Sequence, residues 1–148
     1  MRALQLILRY IMYFFTAKGK HAAQAPFLYE LITQVINERT DDEDCNSIEA
    51  LRKELCQSEK EIQITDFGAG SAINNSKTRK IKDIAKNSAK NAKFGKLLYR
   101  IIQFYKPKNI IELGTSLGIS TSYLAKADTN ANVFTFEGCA VTATIAQE

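Results

Sequence analysis

Apolar positions recur at helical spacing over the first ninety residues of the chain and collapse into short runs after Lys108. In M-R-A-L-Q-L-I-L-R-Y-I-M-Y-F-F, the residues Leu4, Ile7, Leu8, Ile11, Phe14 and Phe15 fall on one helix face, and Gln5 and Arg9 interrupt the apolar run. The stretch falls short of the ~20 apolar residues a spanning helix needs, and no small-residue cleavage site follows it. The spacing predicts a packed amphipathic helix, with attachment to a membrane surface as the alternative and no membrane span. Pro26 suits the first position of a second helix, where its missing N–H is not needed. Phe27, Leu28, Leu31, Ile32, Val35 and Ile36 give that helix an apolar face.

The polar run E-R-T-D-D-E-D predicts an exposed loop. Asn46 followed by Glu49 has the spacing of a capping pair for a third helix through Leu51 and Leu55 to about Ser58. Ile62 to Phe67 alternates like a short strand and runs into D-F-G-A-G. Lys77 to Asn91 has helical propensity, with Ile81, Ile84, Ala85 and Ala89 as a modest apolar stripe, and Phe94 to Tyr105 is a stronger amphipathic helix ended by Lys106-Pro107. There follow a strand at Asn109–Leu113, a helix from Ile119 to about Lys126, a strand at Val133–Phe136 and a helix from Val141 to Glu148. That order implies parallel strands.

Composition adds little to this picture, whereas the placement of charge adds more. The net charge of +4 is too mild to imply a polyanionic partner. Glu38 to Glu61 is rich in carboxylates, and Lys77 to Lys96 holds eight Lys or Arg against Asp83 alone. Those lysines are most simply a solvated face; contact with nucleic acid is the disfavoured alternative, because no aromatic platform is interleaved. Cys45, Cys56 and Cys139 form no C-x-x-C pair, and His21 is the one histidine, which supports neither a disulfide framework nor a zinc site and suits a cytoplasmic protein.

The chemistry concentrates at Asn109 to Ser120, N-I-I-E-L-G-T-S-L-G-I-S. Gly114 lets the chain leave a strand in a conformation closed to other residues, and Gly118 does the same at the mouth of the next helix, whose free N–H groups favour an anionic group. Glu137 ends the following strand 19 residues after Gly118, close to the ~20 expected of an acid that accepts ribose hydroxyls. A dinucleotide turn would be G-x-G-x-x-G, and here the middle glycine is Ser116. This weakens the reading as an NAD(P)-dependent oxidoreductase.

E-L-G-T-S-L-G-I-S at 112–120 resembles the first motif of class I S-adenosylmethionine-dependent methyltransferases, especially the catechol O-methyltransferase-like group. The flanking N-A-K-F-G-K-L-L and V-F-T-F-E-G are similar as well, so the likeness covers about Asn91 to Glu148. D-F-G-A-G is a rival for the same motif, disfavoured because the polar S-A-I-N-N-S-K follows it.

The resemblance implies an α/β fold: the Rossmann-like β-α-β start of a parallel sheet at 91–148, behind a mainly helical extension at 1–90 and incomplete at the C-terminus. It implies S-adenosyl-L-methionine as cofactor, held through the backbone of Gly114, Thr115, Ser116 and Gly118. Ser120 would bind the methionine carboxylate, Glu112 would sit near the amino group, Glu137 would hold the ribose, and Gly138 and Cys139 would border the adenine. The implied activity is O-methylation of a small molecule, with no catalytic or metal-binding residue to name. The alternatives are an oxidoreductase fragment and a non-catalytic module associated with nucleic acid through the basic segment. An open parallel sheet edge would also invite self-association.

Overall fold

The structure is a computed structural model that describes residues 2–17, 25–37, 43–65, 77–87, 89 and 91–148. Two compact units divide the chain, Met1–Arg39 and Thr40–Glu148.

In the first unit, α1 spans Arg2–Thr16, a stretch without glycine or proline. At its end the Thr16 hydroxyl donates to the carbonyl of Met12 at 2.8 Å, and the Ala17 N–H donates to Tyr13. The helix was expected to be packed, yet its large apolar side chains are exposed, from 45% at Ile11 to 81% at Phe15. Helix α2, Pro26–Glu30, starts at the expected proline and widens into a π-helical turn over Leu31–Ile36. His21 lies outside the described residues.

The second unit begins with a 3₁₀ turn, Glu43–Cys45, that leads into α3, Asn46–Leu55. The expected capping pair does not form. Cys45 holds the cap position and makes no side-chain capping bond, while Glu49 turns to Arg52 and to the hydroxyl of Tyr123. Strand β1, Glu61–Gln63, pairs antiparallel with β2, Thr78–Lys80, in the register Ile62 to Arg79. The segment from Lys77 is therefore not helical from its start; pairing with β1 claims Thr78–Lys80, and α4 runs only from Ile81 to Asn87. The rival glycine turn at Asp66–Gly70 lies outside the described residues.

Helix α5, Ala92–Tyr105, is capped by Asn91, whose side chain accepts the Phe94 N–H at 3.2 Å, and ends where Lys106 turns left-handed before Pro107. Strand β3 is Asn109–Leu113, α6 is Ile119–Ala127, β4 is Asn132–Phe136 and α7 is Ala140–Gln147. Strands β3 and β4 are parallel neighbours, with Asn109 opposite Asn132 and Leu113 opposite Phe136. The molecule is thus mixed helix and strand, with a β-α-β unit where the apolar pattern predicts one.

Strand alternation gives this small sheet two unlike faces. Ile110 packs with Ile102 of α5 and Leu124 of α6, joined by Val133. On the other face Ile111 and Leu113 are 71% and 83% exposed, beside exposed Phe134 and Phe136. Two further clusters bind residues 43–87 to the β-α-β unit: Cys45 and Ile48 with Tyr99, Ile119 and Tyr123, and Ile62, Ile81, Ile84 and Ala85 with Leu117. Residues 43–87 thus lie in the same compact unit as the β-α-β segment, because α3 and α4 bury their apolar stripes against α5, α6 and the glycine turn.

Candidate functional site

The turn between β3 and α6 contains three left-handed residues, Gly114 with φ 92°, Ser116 with φ 51° and Gly118 with φ 75°. Added side chains at the two glycines would meet nothing closer than the Ala146 side chain, 3.5 Å from a Cβ on Gly118. The glycines are therefore required by backbone conformation and not by space. Ser116 occupies a conformation in which glycine would be at ease. Its N–H donates to Oε2 of Glu137 at 2.8 Å, which ties the turn to the end of β4.

Glu137 is half-buried, and its second oxygen accepts the Cys139 N–H at 2.9 Å. The carboxylate thus links the turn after β3 to the end of β4. Ladder bonds carry on past the strands, since the N–H groups of Gly114 and Thr115 both donate to the carbonyl of Phe136, at 2.8 and 3.2 Å.

Glu112 faces α6, because alternation turns it to the same side of the sheet as Ile110. Its Oε1 accepts the Ser120 hydroxyl at 2.5 Å, and its Oε2 accepts the hydroxyls of Thr135 at 2.8 Å and of Thr121. Thr115 lies 2.5 Å from Thr135, oxygen to oxygen. Since Thr135 spends its hydrogen on Glu112, Thr115 donates to Thr135, and the three groups form one directed chain. Thr121 and Thr135 were not singled out by motif. The parallel register that sets Thr135 opposite Glu112 is the signal that would have found one of them.

A cavity of about 300 Å³ opens beside the turn. From the predicted set it is lined by Thr115, Gly118 and Glu137, together with Thr121, Ser122 and Thr135, and Ala143, Ala146 and Gln147 of α7 close its far side. Gly118 caps α6 without a side chain, so the cap position supplies no side-chain hydrogen bond to the first turn of that helix. Glu112, Gly114, Ser116, Ser120, Gly138 and Cys139 do not line the cavity. Cys139 is 5% exposed, and its sulfur accepts the Thr65 N–H at 3.4 Å. Burial pushes the Cys139 thiol up, but hydrogen bonds from Thr142, Thr65 and Val141 outweigh this and bring it below its ordinary range.

The acidic segment is more than a solvated surface. Glu49 accepts the hydroxyl of the fully buried Tyr123, and Asp44 accepts that of Tyr99 at 3.0 Å, with Gln103 donating to Tyr99 at 2.8 Å. Part of the basic segment is likewise engaged, since Lys80 and Lys82 both pair with Glu59. Among the described residues no group of His, Cys, Asp or Glu is arranged to hold a metal ion, and no helix is long and apolar enough to cross a membrane. Compared with protein-family models, with curated proteins and with solved structures, the chain gives no match.

Proposed function

We propose that residues 91–148 are the cofactor-binding half of an S-adenosylmethionine-dependent methyltransferase of Rossmann-like fold, acting on an oxygen of a small molecule. The observation that carries this reading is Glu137 at the end of β4, joined to a turn of three left-handed residues that opens a helix without a side-chain cap. Each oxygen of Glu137 accepts one backbone N–H and keeps lone-pair capacity for a ribose hydroxyl. The mouth of α6 suits the methionine carboxylate through its N–H groups and dipole. The Ser120 hydrogen already serves Glu112, so a carboxylate there would be held by backbone groups before this hydroxyl.

When bound, the cofactor supplies an electrophilic methyl group to the acceptor oxygen. The chain's own contribution is to hold and align it, the part of catalysis that converts an encounter into an in-line approach. In this reading Gly138 and Cys139, which follow Glu137, border the adenine.

Isothermal titration of the chain with S-adenosylmethionine and with NAD(H) tests the reading. Binding of the first is expected, and Glu137→Ala should weaken it by roughly 1–3 kcal/mol, the worth of hydrogen bonds to a charged acceptor. Binding of NAD(H) alone would favour the oxidoreductase. Unchanged affinity in a folded Glu137→Ala would remove the ribose assignment.

A further inference from the structure

Helix α1 presents ten large apolar side chains to solvent. They are not scattered: Leu4, Ile7, Leu8, Ile11, Phe14 and Phe15 form one broad face, with Gln5, Arg9 and Thr16 grouped opposite. A coiled-coil partner would need only a narrow seam of about two positions in seven, whereas Met12, Tyr13, Leu6 and Tyr10 extend this face on either side, so that the ten apolar side chains together take up more than half of the helix circumference. A bilayer surface suits such a width, because acyl chains cover apolar side chains wherever they point.

Charge identifies the kind of bilayer. The segment ahead of Glu30 carries Arg2, Arg9, Lys18 and Lys20 and not one acidic residue, although the chain as a whole holds 16 Asp and Glu. Arg9 falls within the polar stripe, where a helix lying in the headgroup layer keeps its cations. With 15 residues, α1 is too short to cross, so the geometry is that of a helix lying in the interface.

We propose that α1 docks this chain on the surface of an anionic lipid bilayer, with its broad apolar face sunk among the upper acyl chains and its cations among the headgroups. This assignment rests on the first unit alone and is independent of the cofactor reading.

Co-sedimentation of the full chain with vesicles of phosphatidylcholine, alone or mixed with phosphatidylserine, tests it. The chain is expected to pellet with the anionic vesicles, to bind neutral ones less, and to be released as salt is raised. Ile7→Glu combined with Phe14→Glu should lower partitioning by at least about tenfold, because it places charge in the buried face. Arg9→Glu, which leaves the apolar face intact, should lower it about fivefold or more on anionic vesicles and leave neutral ones unaffected. Three results would overturn the proposal: a chain that stays in the supernatant with both vesicle types, equal salt-independent binding to both, or a lipid-free oligomer that Ile7→Glu with Phe14→Glu disperses.

Discussion

Tyr123 shows how one side chain can bind the second unit together. It is fully buried in α6, packs with Cys45, Ile48, Tyr99 and Ile119, and gives its hydroxyl hydrogen to Glu49 of α3, which also pairs with Arg52 at 3.0 Å. Burial first, and then the bond to Glu49, raise its ionisation above the ordinary value of 10.0. A phenol that ionises more easily unfolded than folded contributes stability below about pH 10 and loses it as the pH rises. Tyr123→Phe should cost about 1–3 kcal/mol in urea unfolding at neutral pH, the loss of a hydrogen bond to a charged group. The alkaline fall in stability should also be shallower in the variant. Equal stability of both proteins would show that Glu49 gains nothing from the hydroxyl.

Between elements, α5 approaches α6 closely at Gly95. A Cβ at this position would lie 2.2 Å from the ring of Tyr123, which is enclosed and cannot give way. Alanine normally favours a helix over glycine by about 1 kcal/mol, and overpacking normally costs ~1–3 kcal/mol. Gly95→Ala should therefore lower stability by up to a net ~2 kcal/mol, read from the denaturant midpoint; a stabilised variant would mean that the two helices are not in such contact. The corner of β2 and α4 makes a pH-dependent contribution. Lys82 and then Lys80 hold the Glu59 carboxyl at about 2, against an ordinary 4.5. A depressed carboxyl adds stability above its unfolded value and loses it as the pH falls through the folded one. The stability difference between the chain and Glu59→Gln should thus shrink from pH 4.5 toward pH 2, and shrink with added salt, because the pair is exposed. A difference unchanged across that range would remove the ion pairs from the account.

Over the whole molecule, the two units use their apolar surface differently. In Thr40–Glu148, three clusters join elements from Cys45 to Ile145. The sheet still leaves Ile111, Leu113, Phe134 and Phe136 exposed on one face, where parallel strands elsewhere are usually covered on both. The first unit keeps the apolar face of α1 exposed, and that surface carries the lipid proposal. The cofactor reading and the lipid reading stand on different units, so either can fail without the other.

The chain's own pattern determined the elements from Phe94 onward nearly residue for residue, because each carries a strong local signal: Lys106-Pro107 as a stop, β-branched residues in the strands and glycine where the backbone turns left-handed. It also marked Glu137 by distance alone. Tertiary structure decided the rest. Helical propensity at Thr78–Lys80 gave way to pairing with Glu61–Gln63, since strand partners distant in sequence leave little periodicity in so short a segment. Glu49 left its expected capping role for Tyr123, and Glu112 turned to three hydroxyls of α6 and β4, because hydrogen-bond partners are set by which faces meet. Gly95, unremarked within its helix, answers to a ring 28 positions further on, which no local rule could have foretold.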